Sequence, residues 1–334
     1  MLSTVNRYKD VNLHAAAVGE WRQTYNQITP GALRTSLIQL ATTHVHVFRE
    51  YLNQRVVQQG VAPQRMLCFA LPSDTCGAAR IQGRVAPDHS VFLLRGGEEF
   101  VFHMPMHTDL LSVTFDYAQF EGVLEGFLRP GALEALLKQP VIQVSSERLA
   151  AIRHRLLCLF SHAVANPHLI TTPAAQKMLD HTLVGALLEL ISDPECEKAP
   201  NLSSSTQSFI VDKCHQIAMS SGDMPVTILD LSARLRTSQR TIQKSFHAVT
   251  QTTPVDYLRS IRLNAVRRQL LSTSAAELSV GQAAANWGFF HLSHFATAYK
   301  CLFGELPSQT RRAVRVLAAP GFLAGARRAG QLAH

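Results

Sequence analysis

The sequence predicts an α+β chain with a small N-terminal β-barrel, helices that follow it, and an all-helical C-terminal domain. Three observations support this class: strand-like runs before residue 117, helical periodicity from there to residue 192, and a basic helical region with an internal repeat. The chain has 334 residues, of which 46% are hydrophobic and 17% charged. That composition suits about two domains and excludes a largely disordered or fibrous protein.

The β-rich region extends from about residue 35 to residue 116. Its strand-like runs are rich in β-branched and aromatic residues, and turn residues such as Gly96 and Gly97 separate them. Several short strands in so short a stretch are typical of a small antiparallel sheet or barrel. The runs are 43–48, 67–72, 90–95, 98–105 and 110–116.

Helical periodicity replaces strand periodicity after residue 116. Leu, Ala and Phe recur at three- and four-residue spacing in 117–138, 146–165 and 173–192. A leucine stripe in the last of these segments is more typical of a core than of an interface, although it also motivates the hypothesis of a homodimer. The stripe consists of Leu179, Leu183, Leu187 and Leu190.

A polar, Pro- and Ser-rich run divides the chain in two. We expect an N-terminal domain over 1–192, a linker over 193–208, a C-terminal domain over 209–316 and a disordered tail over 317–334. The charge changes at the same place. Residues 1–205 hold 17 basic and 18 acidic residues, whereas residues 206–334 hold 15 basic and 6 acidic residues. A basic domain joined to a nearly neutral one indicates a polyanionic partner for the C-terminal half.

Other features of the sequence narrow the class of protein. The six cysteines form neither a CxxC pair nor a compact disulfide framework, which argues against structural zinc and a secreted scaffold. The first residues lack the apolar core of a signal peptide, and no run of 18 apolar residues predicts a membrane span. We therefore expect a cytoplasmic protein without a membrane partner.

The basic half contains an internal repeat with a displacement of 53 residues, which relates Ile242 to Phe295 and Pro254 to Pro307. Each copy reads as a short apolar helix, a break, and a second helix that ends in an aromatic residue. The predicted helices are 227–236 and 238–249 in the first copy and 280–287 and 291–303 in the second. This is the pattern of two helix-turn-helix motifs, each able to insert one helix into the major groove of DNA.

Residues 226–312 resemble the DNA-binding domain of the AraC/XylS family of transcription regulators. The resemblance is carried by SQRTIQKSF, TTPVDYLRSIRLNAVRRQLL and WGFFHLSHFATAYKCLFGELPS. It implies a sequence-specific regulator of double-stranded DNA that is not an enzyme, is dimeric and contacts RNA polymerase. It also implies that the second helix of each motif reads bases and that the helix starts contact phosphate.

Twelve DNA-contacting residues follow from this resemblance. Gln and Arg in the first recognition helix suit bidentate contacts to adenine and guanine, whereas Leu and Ala in the second suit thymine methyl groups or a more degenerate reading. The base-facing residues are Gln239, Arg240, Gln243, Lys244, Leu292, Ser293, Ala296 and Thr297. The phosphate-facing residues are Ser238, Thr241, His291 and His294.

A second hypothesis places a metal in the N-terminal domain. The spacing of His44, His46 and Glu50 matches the first metal motif of cupin barrels, and His103 and His107 are candidates to complete a site for Fe, Mn or Ni. A metal-binding, cupin-type enzyme or metal sensor fused to a DNA-binding domain is thus the alternative function. Against it, the glycine that opens the cupin pattern and the second cupin motif are absent. The preferred interpretation therefore includes no metal and no catalytic residue.

The N-terminal half also resembles members of the family that regulate ethanolamine-utilisation operons. The resemblance rests on EWRQTYNQITPG (20–31), HVFREY (46–51) and RGGEEFVFHMP (95–105). It implies an effector-dependent activator of a catabolic operon, with a cupin-like sensor domain and a small amine or amino alcohol such as ethanolamine as effector. Adenosylcobalamin is a further effector that the resemblance implies, with no binding residues assigned and no resident cofactor.

Overall fold

The computed structural model describes residues 2–73, 79–87, 89–127, 131–192, 205–222, 224–310 and 312. Residues 193–204 of the predicted linker and the predicted tail 317–334 lie outside this part of the chain. None of the described helices is long and apolar enough to span a membrane.

The N-terminal half is built on two antiparallel sheets. Their strands are β1 (Leu2–Tyr8), β2 (Arg22–Gln27), β3 (Thr35–Ala41), β4 (Val45–Leu52), β5 (Val56–Val61), β6 (Met66–Pro72), β7 (Arg80–Ile81), β8 (Arg84–Val85), β9 (Ser90–Arg95), β10 (Glu99–Met104), β11 (Thr108–Asp116) and β12 (Val141–Gln143). The seven-stranded sheet has the order β1-β3-β4-β11-β6-β9-β12, and the five-stranded sheet has the order β2-β5-β10-β7-β8.

Both faces of the seven-stranded sheet are buried, and strand β4 shows why. Its side chains alternate between two apolar cores: Phe48 and Leu52 lie in the core between the sheets, whereas Val45 and Val47 lie in a core shared with helices. Strands β6 and β9 have long runs of apolar residues because both of their faces pack against apolar side chains. Strand β4 also carries polar residues, among them Arg49, whose side chain is 38% exposed.

The predicted β-rich domain is observed, but the described strands do not form a closed barrel. They lie in two separate sheets, and β1 and β12 are the open edges of the larger one. Closure requires the two edge strands of a sheet to pair with each other. The turns and strand lengths that the sequence reveals do not specify that pairing.

Helices cover the outer face of the seven-stranded sheet. They are α2 (Tyr117–Phe127), α3 (Ala132–Leu137), α4 (Ser146–Ala165) and α5 (Pro173–Ile191), with a 3₁₀ turn at Pro167–Ile170. The short helix α1 (Val11–Ala17) instead packs Val11 and Ala15 into the core between the sheets. Leu183, Leu187 and Leu190 are at most 1% exposed in the core beneath α5, and Leu179 packs against that core. The leucine stripe is therefore core, and these side chains are not available for a dimer interface.

The C-terminal half is helical, as predicted. Its helices are α6 (Thr206–Ser220), α7 (Ile228–Leu235), α8 (Gln239–Thr250), α9 (Pro254–Ser272), α10 (Val280–Ala285) and α11 (Leu292–Phe303), followed by a 3₁₀ turn at Pro307–Gln309. Helix α6 begins inside the predicted linker because Ser205 caps it by accepting a hydrogen bond from the Ser208 backbone. The linker boundary at residue 208 is therefore three residues too late.

Helix α9 belongs to two hydrophobic cores. Tyr257 and Ile261 pack with α6, α7 and α8, whereas Val266 and Leu270 pack with α10 and α11. One continuous helix thus holds the two repeats together. The first of these cores also includes Val57 of β5, so the C-terminal half rests on the five-stranded sheet.

Polar contacts from α9 join the two halves. The Asn264 side chain donates to the backbone oxygen of Gln27 at 2.8 Å and accepts from its backbone nitrogen at 3.1 Å. Arg267 forms an ion pair with Asp10 of the N-terminal half and a second one with Glu305, the latter at 2.9 Å. Asp10 and Arg267 are 5% exposed each, so this connection is removed from water.

Candidate nucleic-acid interface

The first helix-turn-helix motif consists of α7 and α8. A capping box starts α7, in which Thr227 accepts from the Asp230 backbone and the Asp230 side chain accepts from the Thr227 backbone. Arg236 ends the helix in a left-handed conformation with φ of 49°. The chain then turns, and Ser238 caps α8 by accepting from the Thr241 backbone at 3.1 Å. Such local signals at helix ends are readable from sequence, and the predicted helices 227–236 and 238–249 are confirmed to within one residue.

Helix α8 has one buried face and one exposed face. Ile242, Phe246 and Val249 are at most 3% exposed and anchor it in the core. All six residues that the sequence singles out at this motif are exposed and lie along its first two turns. They are Ser238, Gln239, Arg240, Thr241, Gln243 and Lys244. The structure thus brings them together on one surface that combines positive charge with donor and acceptor groups.

The second motif consists of α10 and α11. Ser279 and Gln282 form a capping box at the start of α10. The break that follows contains Gly288 at φ of 74°, a conformation that favours glycine. His291 takes the N-cap position of α11 without a capping hydrogen bond from its side chain. The predicted helix 280–287 is two residues longer than the observed one because the next backbone hydrogen bonds are those of a tighter turn, from Trp287 to Ala284 and from Gly288 to Ala285.

Helix α11 presents a less polar surface than α8. His291, Leu292, Ser293, His294 and Thr297 are exposed, and Ala296 is half-buried. Leu292 exposes 52% of its surface and adds an apolar side chain to this face. The Thr297 hydroxyl donates to the Ser293 backbone oxygen within the helix at 3.0 Å. The two motifs therefore share a fold but offer different chemistry.

Four arginines of α9 lie in different environments, which the sequence does not distinguish. Arg259 is exposed beside Asp256, whereas Arg262 lies 5.0 Å from the Phe289 ring of the second motif. Burial lowers the pKa of Arg262, and it lowers the pKa of Arg268 to about 10. Arg267 and Arg268 contact the N-terminal half, so the excess positive charge of the C-terminal half is not all available to a polyanion.

Two exposed arginines near the first motif are not among the DNA-contacting residues that the sequence predicts. Arg234 lies in the last turn of α7, and Arg236 lies in the turn before α8. Both add positive charge beside the exposed face of α8. In the sequence, the only indication that these two arginines could contact DNA is that they are basic and precede the recognition helix. The arginines of α9 are also basic, so the sequence does not show which arginines are exposed.

Removal of the second capping box is expected to weaken the second motif. Ser279→Ala removes the hydroxyl that accepts from the Gln282 backbone at 3.1 Å, so the free energy of unfolding should fall by about 1 kcal/mol. Urea denaturation followed by circular dichroism measures the change. Ser293→Ala, an exposed serine one position inside α11, should change stability by less than about 0.5 kcal/mol. Equal losses for the two variants would contradict a specific role of the cap.

The residues of the proposed metal site are not brought together. His44 lies in the turn before β4 rather than on the strand, and His46 bonds to Gln39 at 3.2 Å. His103 lies 3.4 Å from Asp212, and His107 lies 2.9 Å from the Tyr51 hydroxyl. In the described part of the chain, no three His, Cys, Asp or Glu side chains are placed to hold a metal ion.

Glu50 is hydrogen-bonded to residues outside the proposed metal site. Its Oε2 accepts from the Tyr25 hydroxyl at 3.0 Å and lies 3.0 Å from Nε2 of His14. Burial, and secondarily the charge of Glu50, raises the pKa of Tyr25 well above its ordinary value, so Tyr25 remains a neutral donor. The sequence alone gives no reason to connect these three residues, which lie on α1, β2 and β4.

Known proteins resemble part of this chain. Residues 231–313 match a family model described as "Helix-turn-helix domain". The probable thc operon regulatory protein of Rhodococcus erythropolis is 36% identical over 90 residues, which are 27% of each chain. XylDLEGF operon transcriptional activator 3 of Pseudomonas putida is 30% identical over 150 residues, which are 43% of each chain.

A solved structure, that of a probable AraC family transcriptional regulator from Rhodopseudomonas palustris, is 32% identical. It covers 30% of this chain and 94% of that one, with a TM-score of 0.28. The matches to the two operon regulators span less than half of their length. Residues 231–313 therefore match a helix-turn-helix domain.

Proposed function

We propose that this chain is a sequence-specific, DNA-binding transcription regulator that activates an operon in response to a small effector, and that it is not an enzyme. The observation that carries the proposal is the exposed face of α8 in a domain of the AraC/XylS type. The match to regulators named as operon activators supports it further. RNA polymerase is the partner that an activator requires at a promoter.

The two motifs have different roles in this proposal. Gln239, Arg240, Gln243 and Lys244 of α8 read base edges and adjacent phosphates, because Arg and Gln offer bidentate donors and acceptors in the major groove. Leu292, Ser293, Ala296 and Thr297 of α11 give apolar and more degenerate contacts. The residues at the two helix starts bind phosphate through the amide groups that a helix N-terminus presents. These are Ser238, Thr241, His291 and His294.

The effector belongs to the N-terminal half. A cavity of about 20 Å³ lies between the two sheets, which is room for about one or two water molecules. A small amine or amino alcohol such as ethanolamine, the effector in this proposal, would have to widen this cavity or bind elsewhere in the N-terminal half. Adenosylcobalamin is far larger than this cavity, so any action of that molecule would need another surface.

A homodimer is also part of the proposal, but its interface is not formed by the leucine stripe. The stripe is buried within one chain, so a dimer must use other residues. Helix α5 exposes Met178, and the turn before it exposes Leu169, at 70% and 55% of their surfaces. Sedimentation of the full chain with and without DNA tests this part, and a strict monomer in both conditions would contradict it.

The proposed function is tested by selecting duplexes from a random DNA pool with the full chain. We expect enrichment of a site with an adenine- or guanine-rich half contacted by α8 and a less constrained half contacted by α11. Because lysine and arginine replace counterions on phosphate, affinity should fall steeply as salt rises. Failure to enrich any sequence would contradict the proposal.

Arg240→Ala is expected to weaken binding to the selected duplex by about 1–3 kcal/mol, or roughly 5- to 150-fold in Kd. The physical reason is loss of a bidentate donor to a base edge, so preference at one base position should also relax. Fluorescence anisotropy with the selected duplex and with each single-base variant measures both effects. Arg95→Ala, an exposed arginine on β9, is the matched control and should bind like wild type. Equal losses of Arg240→Ala on selected and random DNA would contradict base reading.

A further inference from the structure

The two recognition helices end in the same way. Helix α8 ends at Gln251 with φ of 54°, and α11 ends at Gly304 with φ of 77°. These two residues are 53 positions apart, which is the displacement of the internal repeat. The last four carbonyl groups of a helix have no partner within it, so they accept from water or from donors elsewhere in the fold. At the ends of both recognition helices, such donors come from the N-terminal half.

At the end of α8, two arginines of the N-terminal half supply the donors. Nη2 of Arg80, on β7, donates to the backbone oxygen of Ala248 at 3.1 Å. Nη2 of Arg55 donates to the side-chain oxygen of Gln251, the residue that ends the helix. The C-terminal end of a helix carries a partial negative charge, so it attracts both guanidinium groups.

At the end of α11, the donors are neutral. The backbone nitrogen of Gly31 donates to the backbone oxygen of Cys301 at 3.0 Å. Nε2 of Gln27 donates to the backbone oxygen of Leu302 at 2.7 Å. These contacts lie at the far end of the helix from His291, so the first turns of α11 remain exposed.

The contacts to the two helices are made at equivalent points of the repeat. Ala248 and Cys301, whose backbone oxygens accept from the N-terminal half, are 53 positions apart and occupy the same place in the two motifs. The donors are unrelated, since one is a side chain and the other a backbone amide. The N-terminal half thus meets both recognition helices at corresponding points and leaves their DNA-facing turns free.

All four donors belong to the five-stranded sheet or to the loops next to it. Gln27 ends β2 and Gly31 follows in the next loop, whereas Arg55 precedes β5 and Arg80 begins β7. In the order β2-β5-β10-β7-β8, strands β2 and β7 are three strand spacings apart, or about 14 Å. Ladder hydrogen bonds fix that distance. The sheet is therefore a rigid spacer between the end of α11 and the end of α8.

The C-terminal half has less to fix the angle between its motifs. Among the described helices, α9 alone contributes to both of its hydrophobic cores, with Tyr257 and Ile261 in one and Val266 and Leu270 in the other. Each motif packs on its own stretch of α9, so bending or twisting of that helix between the stretches would change the angle between α8 and α11. Contacts of both motifs with one rigid sheet oppose such movement.

We propose that the five-stranded sheet positions the two recognition helices relative to each other, and thereby fixes the spacing of the two DNA half-sites that the chain accepts. Arg80 and Arg55 act at α8, and Gly31 and Gln27 act at α11; all four are positioning residues. This inference rests on the proposed function, because it concerns the DNA site of that regulator. One base pair moves a half-site by about 3.4 Å and turns it by about 35° around the duplex, a change that two fixed helices do not follow.

Spacing is tested with the duplex that the full chain selects and with versions that carry one added or one removed base pair between the half-sites. Fluorescence anisotropy measures each Kd. We expect either change to weaken binding by wild type at least about tenfold. In the double variant Arg80→Ala/Gln251→Gly, this loss should shrink to about threefold or less. Both contacts at α8 are then absent, while glycine keeps the left-handed end of the helix.

The ratio of Kd values between spacings distinguishes positioning from a loss of stability. A variant that is merely less stable would bind every spacing more weakly by the same factor. Arg22→Ala, at an exposed arginine on β2 of the same sheet, is the control and should keep the wild-type ratio. An unchanged ratio in the double variant, or a wild type that accepts all spacings equally, would overturn the proposal. Circular dichroism shows whether each variant is folded, and Arg80→Ala alone, at a half-buried side chain, replaces the double variant if that does not fold.

The relative position of the helices is also tested without DNA. Spin labels are attached to p-acetylphenylalanine in place of Lys244 and Thr297, which are exposed and occupy equivalent places on α8 and α11. Double electron–electron resonance on the full chain measures the distribution of distances between the labels. We expect a narrow distribution with the native sheet contacts and with Arg22→Ala, and a broader one with Arg80→Ala/Gln251→Gly. Equal widths in all three proteins would overturn the proposal.

The two proposals fail in different ways. A chain that selects a DNA sequence but accepts any spacing contradicts the further inference and leaves the proposed function intact. A chain that selects no DNA sequence contradicts the proposed function, while the distances between spin labels still decide whether the sheet positions the helices.

Discussion

Arg267→Ala is expected to lower the free energy of unfolding by about 3–5 kcal/mol, the loss typical when one partner of a buried ion pair is removed. Arg267 donates to Asp10, lies 2.9 Å from Glu305 Oε1 and 3.1 Å from the Tyr299 hydroxyl, and covers the Phe303 ring at 4.6 Å. Its removal leaves Asp10 buried without a counter-charge and opens space beside two aromatic rings.

The electrostatics of Arg267 support the direction of this effect. Burial lowers the pKa of its guanidinium, but the neighbouring Tyr299, Asp10 and Glu305 raise it more, so that the net shift is upward. The native fold therefore stabilises the charged form despite its distance from water. The stabilisation comes from the attraction between Arg267 and the carboxylates of Asp10 and Glu305. It is lost when the arginine is removed and the carboxylates remain.

Guanidinium chloride denaturation of the full chain measures the change. Arg259→Ala is the matched control on the same helix, because Arg259 pairs with Asp256 on the surface with both side chains about half exposed. Surface pairs contribute about 0–1 kcal/mol, so this variant should remain close to wild type. Arg267→Ala and Asp10→Asn should also be strongly non-additive in a double-mutant cycle. Independent, additive effects would contradict the ion pair as the source of stability.

Acidification is expected to destabilise the protein between pH 6.5 and about pH 3, and the loss begins before most carboxylates titrate. Burial, followed by the charges of His103 and Arg268, lowers the pKa of His215 to about 3. Burial also lowers the pKa of His46 to about 4. Both histidines are neutral in the folded state, where His215 lies 2.9 Å from the Tyr257 hydroxyl.

The sign follows from proton uptake. An unfolded histidine binds a proton as the pH falls below about 6.5, whereas these two folded histidines do not, so each proton favours unfolding. The stability that the two neutral histidines contribute is fully present above pH 6.5, and it is lost as the pH falls toward their folded pKa values. At pH 5 the loss due to His215 is about 2 kcal/mol. The loss due to His46 at pH 5 is of similar size, about 2 kcal/mol, because pH 5 also lies above its folded pKa of about 4.

Denaturation curves at pH 7.5 and pH 5 measure this effect in wild type and in His215→Gln. The variant should be less stable at pH 7.5, since it disturbs the contact with Tyr257, but its loss on acidification should be smaller by about 2 kcal/mol. His247→Gln changes an exposed histidine on α8 and should keep the wild-type pH dependence. If all three proteins lose stability equally, His215 is not the titrating group.

The sequence predicts the C-terminal half well because its signals are local. Capping residues, the turn between α7 and α8, and apolar residues at helical spacing all lie within a few positions of one another, and the repeat at 53 residues doubles the signal. The exposed face of α8 follows from the same periodicity. Its contacts with DNA remain a prediction, since they depend on a partner and not on the fold alone.

The N-terminal half is predicted less completely because its structure depends on long-range pairing. The strands are recognisable from composition, yet nothing local tells that β5 and β10 pair outside the larger sheet, or that the sheets do not close. The pattern of His44, His46 and Glu50 suggests a metal site. In the structure, however, His44 lies in a turn before the strand, and Glu50 is hydrogen-bonded to His14 and Tyr25.

By itself, the sequence determined a neutral β-rich half, a basic helical half, and two helix-turn-helix motifs with polar residues on the first recognition helix. Only the tertiary structure decided which charges are free. Arg267 and Asp10 lie 257 positions apart and neutralise each other where the halves meet, and the leucines of α5 are enclosed by the seven-stranded sheet and its helices. The physical reason is that burial and charge pairing depend on which surfaces meet. Helix ends and periodicity depend only on neighbours along the chain.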